Sequence, residues 1–235
     1  MLYYLKYFII VSTIKSIALT HRRVKMKVTI IGSGNMAKGI STRLASGGHK
    51  VTIHAKDEVK GSELVEQLKS VNSSADVSVA TVGSATDEII IVATPYAEVG
   101  TISGEYSGFD GKIVVDITNP VDFSTFQLIP ELGQSGAQEI AKLIPNAKVV
   151  KAFNTTLAGA LEAGFVEGKE LDVFIAGDDQ DAKNKVSELV KTSGMRPIDV
   201  GPLANSRHLE GFGLIQMAVQ EQIGTNWMSA LKFLG

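Results

Sequence analysis

The feature that most constrains the fold is a glycine-containing turn directly behind a run of β-branched residues. In the stretch VTIIGSGNMAKGI, residues 28–40, one residue separates Gly32 from Gly34, and a helix-compatible segment follows. Gly32 permits a tight turn after a strand, Gly34 leaves room for backbone to approach a pyrophosphate, and Ala37 lets the helix lie close to the sheet. A strand, a glycine turn and a helix in this order predict a dinucleotide-binding unit, because the helix N-terminus offers unpaired N–H groups to phosphate.

Strand and helix patterns alternate along the rest of the chain. Short apolar runs predict strands over residues 27–31, 50–54, 76–80, 88–93, 112–117, 149–153, 171–176 and 196–200. Helix-compatible segments cover residues 36–46, 57–71, 135–143, 155–163, 181–193 and most of 205–229. This alternation predicts an α/β fold of the Rossmann type. We expect a doubly wound, mainly parallel sheet with helices on both faces and a C-terminal helical segment.

The same patterns divide the chain into three parts. Residues 1–25 are predicted to be an N-terminal extension outside the fold, because the first Rossmann strand begins just after Met26. Residues 26–120 are predicted to form the dinucleotide-binding domain. Residues 121–235 are predicted to form a C-terminal α/β half that completes the acceptor site.

The N-terminal extension bears on location. Its apolar stretch, residues 7–14, lies between Lys6 and Lys15. Spanning a bilayer takes about 20 uninterrupted apolar residues, so no stable membrane insertion is expected. The small residues Ser16 and Ala18 have the spacing of a secretory cleavage site. The body of the chain, however, is typical of a nucleotide-dependent enzyme and favours a cytoplasmic protein.

Composition excludes several function classes. The chain has no cysteine, which rules out disulfides, thiolate nucleophiles and cysteine-ligated metals. Its four histidines show no ligand spacing, so no metal site is expected. The formal net charge is −2 without a basic block, so a nucleic-acid partner is not expected.

The end of the second strand bears on which dinucleotide binds. NAD-selective sites place Asp or Glu there to accept hydrogen bonds from ribose hydroxyls. Here the strand is followed by Ala55 and Lys56, with Lys60 one helical turn farther and Asp57 at a helix-capping position. Lys56 and Lys60 are predicted to hold an adenosine 2′-phosphate as point charges, which favours NADP(H). Two solvated surface lysines would give the same pattern.

Turns with proline follow two neighbouring predicted strands. Thr94 and Pro95 end the fourth strand, and Asn119 and Pro120 follow the fifth. Carboxyl ends of parallel strands meet at the edge where ligands bind, so these residues are predicted to wall a nicotinamide pocket. Asn119 would donate to the carboxamide. Ordinary turn chemistry accounts for the same residues without a ligand.

Several segments together resemble the NADPH:8-hydroxy-5-deazaflavin oxidoreductases. The resemblance runs from Met26 to almost the last residue and includes IGSGNMAKGI, ATPY, KIVVDITNP, VVKAFNTTLAG, VFIAGDD, DVGPLANSRHLE and LKFLG. The glycine loop is generic to dinucleotide binders, whereas VKAFNT and GPLANSR are more specific. The resemblance implies hydride transfer between NADP(H) and a small-molecule redox acceptor, a deazaflavin or a flavin. It also implies a homodimer that uses the C-terminal helix.

The resemblance assigns roles to individual residues. Beyond Gly32, the pyrophosphate site corresponds to the backbone of Ser33, Gly34, Asn35 and Met36. The family's 2′-phosphate site, a Ser-Arg pair followed by Lys, corresponds to Ala55, Lys56 and Lys60, so two of three positions differ. Ala158 corresponds to a contact with nicotinamide. The acceptor ring is expected against Asn154, Thr156, Asn205 and Ser206.

No paired carboxylates or Ser/His/Asp set is evident, and no catalytic residue is predicted. Hydride transfer between stacked rings needs orientation and exclusion of water rather than a dedicated acid and base. Two alternatives remain. IGSGNMA also resembles pyrroline-5-carboxylate reductases, although their second half is helical and this one reads as strands. A non-catalytic NADP(H)-binding sensor or partner protein would keep the glycine loop but have a blocked nicotinamide pocket.

Overall fold

A computed structural model describes residues 24–129 and 135–234 of the chain. The predicted extension over residues 1–25 lies outside these ranges apart from its last two residues. Strands in the described part are β1 (Lys27–Ile31), β2 (Lys50–His54), β3 (Val77–Ala80), β4 (Ile89–Val92), β5 (Ile113–Asp116), β6 (Val121–Asp122), β7 (Gln127–Leu128), β8 (Lys148–Lys151), β9 (Phe165–Val166), β10 (Lys169–Glu170), β11 (Asp172–Gly177) and β12 (Arg196–Asp199).

Most helices begin and end within a few residues of the predicted positions. They are α1 (Asn35–Ser46), α2 (Glu58–Val71), α3 (Val99–Glu105), α4 (Gly136–Leu143), α5 (Ala158–Ala163), α6 (Gln180–Thr192), α7 (Ser206–Ala218) and α8 (Gln220–Ile223). Short 3₁₀ turns precede two of them, at Tyr96–Glu98 and Leu203–Asn205. The C-terminal helical segment is shorter than predicted, because the chain leaves the helical conformation at Gly224 and Ala230 pairs with Thr156.

Within residues 24–129 and 135–234, eight strands form one sheet in the order β12-β11-β8-β5-β4-β1-β2-β3. Neighbouring strands are parallel except β8 and β11, which are antiparallel. The exception arises because α5 and the β9–β10 hairpin bring the chain into β11 from the carboxyl end of β8, whereas a parallel strand needs a crossover to the opposite end. The predicted mainly parallel Rossmann sheet is confirmed. The sheet is continuous from the first half of the chain into the second.

Helices cover both faces, as predicted. Buried apolar side chains of α1, α2, α5 and α6 pack on one face, and those of α3 and α4 pack on the other. β4 and β5 are buried along their whole length, which is why their sequences IIIV and IVVD lack the alternation of a half-exposed strand. Two short hairpins, β6–β7 and β9–β10, and helix α3 were not predicted.

Register places one row of residues along the carboxyl edge of the sheet. Paired neighbours in this row are Lys151, Asp116, Val92, Ile31 and His54. The loops that follow these five residues therefore lie side by side, as expected for a ligand-binding edge.

Gly32→Ala tests the tightness of the turn at this edge. A Cβ atom on Gly32 would lie 2.4 Å from the Ala93 carbonyl oxygen, and the backbone φ is +119°. We expect a loss of about 2 to 3 kcal/mol in the free energy of unfolding, measured by urea denaturation. The matched control is Gly100→Ala in α3, where a Cβ meets nothing within 4 Å. A loss no larger than the control's would contradict this packing.

Candidate functional site

The turn between β1 and α1 places a helix N-terminus at the carboxyl edge. The N–H of Gly32 donates to the carbonyl of His54 at 2.9 Å, which ties the turn to the end of β2. Helix α1 begins at Asn35 with Gly34 as its N-cap, and it has neither a side-chain capping bond nor an acidic residue in its first turn. The first N–H groups of α1 therefore suit an anion, which also meets the positive end of the helix dipole.

Gly34 keeps the space beside this helix end open. A Cβ atom built there would have nothing within 4 Å, and the backbone φ of −82° is available to any residue. Neither packing nor backbone conformation requires glycine at this position. The arrangement fits a dinucleotide pyrophosphate held against the backbone.

Two adjoining clefts meet at this helix end. Both are lined by Gly34, Ala93, Thr94 and Pro95. The smaller, of about 260 Å³, reaches the ends of β2 and α3, and the larger, of about 630 Å³, reaches the turn after β5. Together they form one groove along the carboxyl edge, which we call the edge groove.

The smaller cleft contains the lysines predicted for the 2′-phosphate. Lys56 and Lys60 both line it, with Asp57 between them. Asp57 caps α2 by accepting hydrogen bonds from the N–H groups of Val59 and Lys60, at 3.0 and 3.1 Å. Its capping role is thus established. Ala55, by contrast, is buried under α2, where a Cβ on Gly61 would lie 2.8 Å from it.

His54 and Tyr106 form the apolar wall of the smaller cleft. Their rings lie 5.8 Å apart between centroids. Burial lowers the pKa of His54, an effect that Asp87 partly offsets. Burial, together with Glu105, raises the pKa of Tyr106 to about 12. Both rings are therefore neutral near neutral pH and add no positive charge to the cleft.

The larger cleft has mostly apolar walls. It is lined by Met36, Phe123, Ile129 and Met217, together with the predicted Asn119. It shares Thr94 and Pro95 with the smaller cleft. Its volume lies within the range of about 300 to 1,000 Å³ that is usual for small-molecule sites. The Oγ1 atom of Thr94 is buried without a hydrogen-bond partner in the described part of the chain.

Asn119 and Asn154 form a reciprocal pair beneath this cleft. Asn119 Nδ2 donates to the Asn154 carbonyl at 3.0 Å, and Asn154 Nδ2 donates to Asn119 Oδ1 at 2.9 Å. Asn154 Nδ2 also donates to the Leu209 carbonyl at 2.9 Å, so both of its hydrogens are engaged. Asn119 uses only one Nδ2 hydrogen among the residues that the structure describes, and it is the member of the pair that lines the cleft.

Several predicted ligand contacts lie outside the edge groove. The residues that line neither cleft are Ala55, Pro120, Asn154, Thr156, Ala158, Asn205 and Ser206. Thr156 pairs with Ala230, Asn205 Nδ2 donates to the Val200 carbonyl at 2.6 Å, and Ser206 is fully buried. The predicted contact of Ala55 with the 2′-phosphate, and those of the other six residues with nicotinamide or acceptor, stay predictions.

A buried ion cluster under the edge groove was missed by sequence reasoning. Lys151 Nζ lies 2.7 Å from Asp116 Oδ2 and 2.9 Å from Glu210 Oε1, and at most 1% of each residue is exposed. Lys151 also donates to the Thr118 carbonyl at 2.5 Å, while the Thr118 N–H donates to Asp116 at 2.8 Å. Glu210 accepts from the Gly136 N–H at 3.3 Å. The cluster therefore fixes the backbone of Thr118, which lines the larger cleft.

The cluster carries more negative than positive charge when all three groups are ionised. Burial raises the pKa of Glu210 above its ordinary value, and Asp116 adds to the rise, while Lys151 offsets part of it. The sequence does contain a signal: Asp and Lys stand inside apolar strands, and such charges are buried only when paired. Asp116 and Lys151 lie opposite each other on the neighbouring strands β5 and β8, so each provides the other with an opposite charge.

Two kinds of feature are absent from the described ranges. Among residues 24–129 and 135–234, no helix is both long enough and apolar enough to cross a bilayer. The same residues contain no group of three His, Cys, Asp or Glu side chains arranged to hold a metal ion.

Comparisons with known proteins identify relatives. Residues 27–120 match the family described as NADP oxidoreductase coenzyme F420-dependent. The chain is 30% identical over 198 residues to the F420-dependent NADP reductase of Methanothermobacter marburgensis, which covers 79% of this chain and 88% of that protein. It is 34% identical over 188 residues to metalloreductase STEAP3 of Rattus norvegicus, with 80% of this chain covered. The chain spans only 36% of the length of that metalloreductase.

A solved structure shows the same architecture. It comes from Arthrobacter sp. FB24 and is designated a candidate F420-dependent NADP-reductase. The TM-score is 0.71 at 29% identity, with 85% of this chain and 95% of that chain covered.

Lys151→Met tests the buried cluster. Removing the cation leaves two facing carboxylates, so we expect a loss of about 3 to 5 kcal/mol in the free energy of unfolding near neutral pH. A carboxyl group with a raised pKa favours folding below its unfolded pKa and loses that contribution as pH rises, so the loss should shrink toward about pH 5. Denaturation at both pH values measures it.

Lys148→Met on the same strand is the control. Lys148 pairs with Asp179 at 2.9 Å, but its side chain is 42% exposed, so we expect a much smaller loss than in Lys151→Met. Equal losses of free energy of unfolding in the two variants would show that the buried Lys151 stabilises the fold no more than the exposed Lys148 does.

Proposed function

We propose that this chain, which belongs to the coenzyme F420-dependent NADP oxidoreductase family, transfers a hydride between NADPH and a deazaflavin or flavin acceptor. The observation that carries the proposal is the edge groove, which passes from two lysines, across an uncapped helix N-terminus, to an apolar cleft. A dinucleotide has the same order of parts: adenosine phosphate, pyrophosphate and nicotinamide.

Each part of the groove has chemistry that suits one part of NADPH. Lys56 and Lys60 provide positive charge for a 2′-phosphate, and the first N–H groups of α1 provide donors for the pyrophosphate. Asn119 provides an amide donor for the carboxamide at the other end. When bound, NADPH supplies the hydride.

The chain's own contribution to the reaction is orientation and exclusion of water. Met36 and Met217 lie on the walls of the larger cleft, with Phe123 at its exposed rim. Such walls suit a flat ring stacked on nicotinamide and keep water from the space between two rings. The buried Lys151 cluster holds the Thr118–Asn119 backbone from below, so the carboxamide donor has a fixed position.

The acceptor is a deazaflavin or a flavin. Similarity to the F420-dependent NADP reductase of Methanothermobacter marburgensis favours a deazaflavin, because that relative is covered almost completely. Similarity to metalloreductase STEAP3 makes a flavin the second candidate, because flavins in general both accept a hydride and take part in one-electron chemistry. The volume of the larger cleft, about 630 Å³, lies in the range usual for small-molecule sites and supports a ring acceptor of either class.

A homodimer in the cytoplasm completes the proposal. Helices α7 and α8 and the segment after them expose large apolar side chains, as expected of an association surface. These exposed residues are Phe212, Ile215, Ile223, Trp227 and Met228.

An acceptor screen tests the proposed function. NADPH is mixed with the full chain and one of three compounds, a deazaflavin or a flavin as the proposed acceptor or a cyclic imine as the substrate of the alternative enzyme, and loss of the reduced-nicotinamide absorbance is followed. We expect saturable turnover with at least one acceptor. Saturable NADPH binding without turnover for any acceptor would instead indicate the sensor alternative, and turnover only with a cyclic imine would indicate the pyrroline-5-carboxylate reductase alternative.

Gly34→Ala separates the nucleotide site from the fold. The added Cβ has nothing within 4 Å, so stability should be retained. It occupies space that the pyrophosphate needs, so we expect NADPH to bind about tenfold more weakly or worse, measured by fluorescence titration. Gly100→Ala is again the control. Unchanged NADPH affinity in Gly34→Ala would contradict the pyrophosphate assignment.

A further inference from the structure

We propose that Glu105, assisted by Glu98, is a specificity-determining residue that lowers the preference for NADPH over NADH by competing with the 2′-phosphate for Lys56. The inference rests on the proposed dinucleotide function and concerns only its adenosine end.

The contacts of Lys56 carry the inference. Its Nζ lies 3.0 Å from Glu105 Oε2 and 3.9 Å from Glu98 Oε2. Glu98 itself lines the smaller cleft, and Glu105 ends helix α3 beside it. The lysine that the 2′-phosphate would use is therefore already bound to carboxylates of the same chain.

The second lysine of the cleft is also partnered. Lys60 Nζ lies 3.9 Å from Asp57 Oδ2, and Asp57 is held in place as the cap of α2. The two lysines thus face three carboxylates, a local sum of −1. The smaller cleft is also lined by two other titratable side chains, His54 and Tyr106. His54 adds no charge near neutral pH because burial lowers its pKa.

This charge arrangement affects the binding of NADPH and of NADH differently. A 2′-phosphate carries close to two negative charges, so it binds Lys56 only by displacing Glu105 and remains near both glutamates. The ribose 2′-hydroxyl of NADH carries no charge and can donate a hydrogen bond to a carboxylate, which is the interaction that NAD-selective sites use. The pairs of Lys56 are half exposed, with side-chain exposures of 51%, 48% and 38% for Lys56, Glu98 and Glu105. Exposed pairs of this kind are weak, so the exchange is accessible.

The test is a set of dissociation constants for NADPH and NADH, measured by fluorescence titration of the full chain. For wild type we expect the two constants to differ by less than about tenfold. Glu105→Gln should tighten NADPH by about three- to tenfold and leave NADH unchanged or weaker, because it removes one repulsive charge and releases Lys56. Higher salt should reduce this gain, since the charges are exposed.

Two further variants make the test specific. In Lys56→Ala, the affinity for NADPH should fall far more than the affinity for NADH. Glu105→Gln should raise NADPH affinity by a smaller factor in Lys56→Ala than in the wild-type chain, because the competition for Lys56 is gone. Glu66→Gln is the charge-matched control: Glu66 is exposed on α2 and lines neither cleft, so its removal should leave both constants unchanged.

The outcomes separate the two proposals. If both dinucleotides bind but Glu105→Gln moves their ratio no more than Glu66→Gln does, the specificity role is overturned and the proposed function stands. A wild-type preference for NADPH of a hundredfold or more would also overturn it. If neither dinucleotide binds, the proposed function fails, and this inference fails with it.

Discussion

The structure depends on the close approach of the first glycine turn to the neighbouring strand end. Gly32 lies so near the Ala93 carbonyl that a single methyl group would overlap it, and its N–H is bound to the end of β2. This contact brings the loops after β1, β2 and β4 together and places the N-terminus of α1 at the carboxyl edge. The positive end of the helix, the open space at Gly34 and the continuity of the edge groove all follow from it.

Beneath the groove, buried charge provides a second constraint. Lys151, Asp116 and Glu210 come from two strands and a helix, and their mutual bonds close around the backbone of Thr118. Removing one charge from such a buried cluster lowers the free energy of unfolding by more than the intact cluster contributes to it. The reason is that the remaining charges are left uncompensated and without hydration. The wall of the larger cleft is therefore positioned by electrostatics, while its surface toward the ligand stays apolar.

Much of this organisation could be predicted from sequence, because the relevant signals are local. Apolar runs such as IIIV, a glycine turn and the cap at Asp57 each act within a few residues, and the structure contains all three. The strands of the second half also follow local apolar runs and join the main sheet, unlike the helical second half of the pyrroline-5-carboxylate reductase alternative.

What could not be predicted arises from contacts between distant segments. The amide pairing of Asn119 with Asn154 and the carboxylate that α7 gives to Lys151 have no local signature. Likewise, Lys56 reads as a free cation in sequence, and only the placement of α3 shows it paired with Glu105. Two-residue strands such as β6 and β9 are too short to show any periodicity.

A crystal structure of the chain with bound NADPH tests the central claim most directly. The account predicts the pyrophosphate within hydrogen-bonding distance of the first backbone N–H groups of α1, beside Gly34, with the nicotinamide in the cleft that Asn119 lines. A pyrophosphate bound anywhere else, or side chains that fill the cleft so that no ring enters, would contradict it.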